Sequence, residues 1–138
     1  MATHPQTVRD LRIWQKSIEL VERCYRLSAM LPLGERFALT SQIRRAATSV
    51  PANIAEGFGR WNSRDFARFL AIASGSLREL ETHLVIVSRL GLVPGARVDE
   101  VLPLCDELAK MLFKMRQRVL TNGNRAEQVG NRAPHSVI

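Results

Sequence analysis

Between Phe66 and Val87 the apolar residues Phe66, Leu70, Ala73, Leu77, Leu80, Leu84 and Val87 follow one another at alternating steps of four and three. A strand would scatter that set over both of its faces, whereas a helix gathers it into one stripe. A mean repeat of about 3.5 residues is the signature of helices that pack nearly parallel or antiparallel. Beside the first stripe runs a second row, Phe69, Ile72, Ser76, His83, Ile86 and Leu90. A helix with two apolar seams meets more than one neighbour. Asn62 or Ser63 supplies the N-cap, Asp65 falls in the first turn, and Gly91 ends the segment.

Three further segments carry the helical period. The first is expected to start near Asp10, with Ile13, Leu20, Val21, Cys24, Leu27 and Leu31 on one stripe and Glu19–Arg23 and Glu22–Arg26 opposite. Leu31-Pro32-Leu33-Gly34 closes it. The second spans about Glu35 to Phe58, with Leu39, Ile43, Ala46, Ala47, Val50 and Ile54 inward. Pro51 lies inside it and predicts a kink or a break. The fourth begins around Arg97–Glu100 and repeats the heptad steps through Val98, Val101, Cys105, Leu108, Leu112, Met115 and Val119, with Pro103 near its first turn.

Four such helices with short connections predict an all-α protein, an up-down-up-down four-helix bundle with a kinked second helix. The bundle is assigned to residues 10–121, between flexible tails at 1–9 and 122–138. At 138 residues the chain is long enough to bury one core without disulfides or a structural metal. Aromatics are only 6% and Gly plus Pro number 14, too little turn chemistry for a sandwich or barrel of many short strands. No apolar run approaches the roughly 18 residues of a membrane span, and Met1–Gln6 contains no secretory apolar stretch. A cytoplasmic protein with no membrane partner is expected.

Enzymatic chemistry finds no carrier. Cys24 and Cys105 fall on core stripes and read as buried apolar residues, and no Cys-x-x-Cys occurs. A di-iron bundle needs Glu-x-x-His on two helices, and the chain has none. Glu79 and His83, with Glu56 as a third group, make the weak metal candidate, against which stands an ordinary hydrogen-bonded contact. Phosphate loops and nucleophile elbows are missing too, so neither cofactor nor catalytic residue is expected.

What remains is basic charge. Twenty Lys plus Arg against thirteen Asp plus Glu give a net charge of +7, a balance that favours anionic partners. The excess is spread along the chain without a basic arm, so any patch has to be assembled by the fold. Arg60, Arg64 and Arg68 are spaced four apart around the start of segment three, with Trp61 among them; Arg44 and Arg45 lie on segment two. A helical hairpin can gather several of these beside an aromatic that stacks on a base. Ion pairs with Glu56, Asp65, Glu79 or Glu81 on a solvated face are the plainer alternative.

Several motifs carry a family resemblance. They are Ile13-Trp14-Gln15-Lys16, Leu31-Pro32 with Glu35, Ser41-Gln42-Ile43-Arg44-Arg45-Ala46, Ser49-Val50-Pro51-Ala52-Asn53-Ile54-Ala55-Glu56-Gly57, and Gly75-Ser76-Leu77-Arg78-Glu79-Leu80-Glu81. Over about residues 10–120 the chain resembles the bacterial four-helix bundle family encoded in intervening sequences of large-subunit ribosomal RNA genes. That family is similar to the accessory variability protein of diversity-generating retroelements. The resemblance implies a non-enzymatic cytosolic bundle that assembles into a homopentamer with a basic surface. In a retroelement context it also implies nucleic acid and a reverse transcriptase as partners. The family's Arg-Arg pair falls on Arg44 and Arg45, and its Asn-Ile-Ala-Glu-Gly turn on Asn53 to Gly57; Ser17 stands where the family tends to have Ala. Two readings remain open. One is an oligomer that binds nucleic acid, RNA above all, by charge and shape. The other is an oligomeric protein-interaction scaffold whose basic charge is incidental.

Overall fold

The structure, a computed structural model, describes residues 7–128, and side chains as far as residue 125. Four long helices, α1 (Arg12–Ser28), α2 (Leu39–Phe58), α3 (Ser63–Arg89) and α5 (Leu102–Gln128), are joined by short connections, with one-turn α4 (Gly95–Asp99) between α3 and α5. Among the described residues there is no strand. Contact is most extensive between α2 and α3, then between α3 and α5 and between α1 and α2, and is weaker between α1 and α5. Each long helix therefore lies beside its neighbours in the chain, as an up-down-up-down bundle requires. The α1–α2 and α3–α5 connections share one end, and the tight α2–α3 turn forms the other.

Heptad spacing accounts for the core. All seven residues of the first α3 stripe are buried, Phe66 and Leu70 through Val87. Val98, Val101, Cys105, Leu108, Leu112 and Val119 face them from the α4–α5 side, and Ile13, Leu20, Cys24 and Leu27 from α1. The Asn62 side chain caps α3 by accepting from the Asp65 N–H at 2.8 Å, leaving the Asp65 charge at the positive helix end. The second row of α3 has a different fate. Ile72, Ile86 and Leu90 stay 41%, 38% and 64% exposed, so the bundle's own helices do not cover that seam.

Several boundaries differ from expectation. The Asp10 carboxylate accepts from the Thr7 N–H at 3.0 Å and closes a 3-10 turn, Val8–Asp10, so α1 starts at Arg12, with Leu11 rather than Asp10 as the residue before its first turn. Val8 packs on the core, and that anchors part of the segment expected to be a tail. Leu33–Glu35 forms a second 3-10 turn ahead of α2, which begins at Leu39, four residues later than Glu35. The helix is unbroken across Pro51: the residue takes one N–H out of the ladder, but packing of its buried ring in the bundle keeps the segment helical. At the C-terminus α5 continues to Gln128, through residues assigned to a flexible tail. Gly123 explains the extension. A Cβ there would stand 2.5 Å from the Ser63 Cβ, so the last turns of α5 lie against the start of α3. Expected tail residues 1–6 and 129–138 lie outside the described residues.

Candidate nucleic-acid interface

The family-like run of α2 is first of all a packing surface. Ser49, Asn53 and Gly57 recur every four residues and so form one seam. The Ser49 and Ser76 hydroxyls of α2 and α3 are hydrogen-bonded at 2.8 Å, and the Asn53 amide donates to the Ser49 carbonyl and hydroxyl at 2.8 and 2.9 Å. Gly57 is buried against α3, and Phe58 meets Phe66 edge-on at 6.2 Å. These contacts fix where the α2–α3 turn and its arginines stand.

At that turn two guanidinium groups converge on one ring. The Arg60 and Arg68 guanidinium carbons lie 4.9 and 4.6 Å from the Phe69 ring centroid. Arg60 also pairs with Glu56 at 2.5 Å, and Arg68 approaches Asp65 at 4.0 Å. Arg64, exposed and one turn before Arg68, completes the group, and Trp61 beside them is 80% exposed. The two carboxylates offset two of the three positive charges. Both pairs are largely solvated, and pairs of that kind contribute little, so they do not bar a phosphate. Phe69 is the residue sequence reasoning missed. Its periodicity assigned it to the second apolar seam, and nothing local marked it as a platform for arginines across a turn.

Arg44 and Arg45 do not join this group. Arg44 donates through Nε to the buried Ser28 hydroxyl at 2.9 Å and lies 4.6 Å over the Tyr25 ring, tying α2 to α1. Its position is about 24 Å along the helix from Arg60, at a rise of about 1.5 Å per residue. Arg45 is exposed at the same level as Arg44. At the opposite end of the bundle a cavity of about 560 Å³ is lined by Arg23, Arg26 and Arg97 together with Asp99 and Glu100. Arg23 is already held there by Glu19 at 2.8 Å and by the Glu100 carbonyl at 3.2 Å.

The remaining chemistry-bearing groups are dispersed. His83 Nε2 is 3.4 Å from Glu79, and Glu56 is engaged at the turn by Arg60, so the three do not converge. Among the described residues no group of three His, Cys, Asp or Glu is placed to hold a metal ion. Burial pushes both thiols, Cys24 and Cys105, up to about 12 from a usual value of 9.0. Among the described residues no helix is long and apolar enough to cross a membrane.

Fold and site together define an all-α helical bundle with a guanidinium–aromatic patch at one end. Residues 9–114 match the family model of the 23S rRNA-intervening sequence protein, and the chain belongs to that family. The fold is similar to the crystal structure of a protein of unknown function from the S23 ribosomal protein family of Bacteroides thetaiotaomicron VPI-5482. The two chains are 27% identical with a TM-score of 0.71, over 75% of this chain and 97% of the other. No curated protein matches.

Proposed function

We propose that this chain is a non-enzymatic, oligomeric bundle that binds nucleic acid, preferentially RNA, through the arginine–aromatic patch at the α2–α3 turn. The observation that carries the reading is the stacking of both Arg60 and Arg68 on Phe69 beside exposed Trp61. Guanidinium groups fork onto phosphate, and a solvent-exposed indole offers a face to an unstacked base. Specificity then comes from charge and shape, because phosphate contacts carry no sequence information. Arg64 supplies the least encumbered charge of the group, while Arg44 is a positioning residue between helices and Arg45 adds only to the general field.

Self-association into the pentamer implied by the family resemblance repeats the patch by symmetry and multiplies a modest local charge. The uncovered α3 seam supports an assembled state. A cytoplasmic location fits an RNA partner, and a reverse transcriptase joins the partners only where a retroelement accompanies the gene. The competing reading, a protein-interaction scaffold, draws support from the carboxylates that already pair with Arg60 and Arg68.

Salt dependence separates the two. Binding of a stem-loop RNA, a single-stranded RNA and a DNA duplex is measured by fluorescence anisotropy at rising salt. Phosphate neutralisation gives affinity that falls steeply and linearly on logarithmic axes. A protein without salt-dependent binding to any of the three is a scaffold.

A further inference from the structure

At the end of the bundle away from the α2–α3 turn, α1 packs against α5 less extensively than α3 does. Between the last turns of α1 and the α4–α5 junction this leaves the cleft of about 560 Å³. Small-molecule sites typically enclose about 300–1,000 Å³, so the cleft is of ligand size. Part of its lining is apolar, Leu27 and Met30 at the end of α1 and Val101 and Pro103 around the start of α5. The rest carries charge of both signs.

The fold uses only some of that charge. Arg23 is engaged by Glu19 at 2.8 Å and by the Glu100 carbonyl at 3.2 Å, and it ties α1 to the α4–α5 junction. Arg97 reaches the Glu100 carboxylate only at 3.9 Å, and an exposed contact of that kind contributes little. Arg26 and Asp99 make no ion pair among the described residues, with each other or with any other group. Glu22, four residues before Arg26, does not hold it although the spacing suits a pair. A guanidinium and a carboxylate thus line one cleft without meeting. A ligand that brings an anion to the first and hydroxyl donors to the second satisfies both.

We propose that this cleft binds a free ribonucleoside 5′-monophosphate. Arg26 and Arg97 hold the phosphate, exposed Met30 and Pro103 give the base an apolar face, and Asp99 accepts from the ribose hydroxyls. Phosphate suits two guanidinium groups better than a carboxylate does, because its three terminal oxygens take forked bonds from both. A carboxylate is the ordinary acceptor for ribose hydroxyls in nucleotide sites. Met30, unbranched and polarisable, adapts to purine or pyrimidine. The site is separate from the arginine–aromatic patch at the other end of the bundle, and it does not depend on RNA binding there.

Isothermal titration calorimetry of the full chain with adenosine 5′-monophosphate, its 2′-deoxy analogue and inorganic phosphate tests the assignment. The ribonucleotide binds more tightly than the deoxy analogue, and phosphate alone binds most weakly. Arg26→Gln and Arg97→Gln each lose about ten- to a hundredfold in affinity for the ribonucleotide, the worth of a charge-assisted contact. Asp99→Ala binds the ribo and deoxy forms equally. All three positions are exposed, and circular dichroism checks that the variants fold. A chain with Arg60→Glu, Arg64→Glu and Arg68→Glu keeps its nucleotide affinity, which separates this site from the RNA patch. Absence of ribonucleotide binding at millimolar concentration overturns the proposal, as does unchanged affinity in folded Arg26→Gln. Phosphate or the deoxy analogue binding as tightly as the ribonucleotide overturns it too. Loss of nucleotide binding in the folded α2–α3 triple variant puts the nucleotide at the patch and also overturns it.

Discussion

Gly57 of α2 and Phe69 of α3 approach so closely that a Cβ on the glycine would stand 2.8 Å from the Phe69 Cβ. It would also fall 3.2 Å from the Phe66 carbonyl oxygen, which is backbone and has little room to yield. Contact between the two helices is therefore made through a missing side chain. The same Phe69 then carries the Arg60 and Arg68 guanidinium groups on its ring. Helix packing and the candidate interface share one residue.

Gly57→Ala follows from that contact. Alanine favours a helix interior by about 1 kcal/mol over glycine, but overpacking in a tight contact costs about 1–3 kcal/mol. With rigid backbone on the clashing side, the cost wins. Urea denaturation is expected to show a net loss of stability of about 1–2 kcal/mol. A variant more stable than wild type would contradict the close approach.

Core register makes a second prediction. Leu77 and Leu112 are both fully buried, on α3 and α5. Leu77→Ala and Leu112→Ala should each destabilise by about 2–5 kcal/mol. Phe113, the next residue after Leu112 and 60% exposed, serves as the contrast. Phe113→Ala should stay within about 0.5 kcal/mol of wild type. Comparable losses at Leu112 and Phe113 would put the α5 register in error.

Thiol burial predicts a pH dependence. Cys24 and Cys105 are both raised to about 12 because burial penalises the thiolate, with Cys24 itself adding to the rise at Cys105. In the unfolded chain they lose protons near the usual 9.0. Between those values the unfolded state holds fewer protons, so stability is intact below pH 9 and falls as pH climbs toward 12. The slope reaches about 1.4 kcal/mol per pH unit for each thiol. Denaturation of a Cys24→Ala, Cys105→Ala double variant, followed over the same range, should lack this component. Folded wild-type protein at pH 8 should react with a disulfide reagent only as fast as it opens.

Periodicity made the bundle legible. The α3 and α4–α5 stripes read from heptad spacing are the buried stripes, with Met115 alone half-buried, because apolar spacing decides which face of a helix turns inward. Boundaries were less legible where a tertiary contact overrides local preference. Thr121-Asn122-Gly123-Asn124 looks like a helix end, yet Ser63 accepts the bare Gly123 and the helix continues. Pro51 looks like a break, and packing holds it in α2. In the candidate site the four-residue spacing of Arg60, Arg64 and Arg68 identified the local group. It did not reveal that Phe69 joins two of them, or that Arg44 is spent on Ser28 and Tyr25. Those contacts bring together residues from different elements, and no spacing within one helix encodes them.

Location of the charge is the central claim, and a matched pair of triple variants tests it most directly. Arg60→Glu, Arg64→Glu and Arg68→Glu together remove the patch. Arg26→Glu, Arg45→Glu and Arg97→Glu, all at exposed positions away from the α2–α3 turn, make the same change in net charge. Folding and assembly of both are checked by circular dichroism and sedimentation, and stem-loop RNA binding is then measured from low to physiological salt. The account predicts that the first variant loses at least tenfold more affinity than the second and has a shallower salt slope. Equal losses in the two folded variants, or RNA binding unchanged in the first, would contradict it.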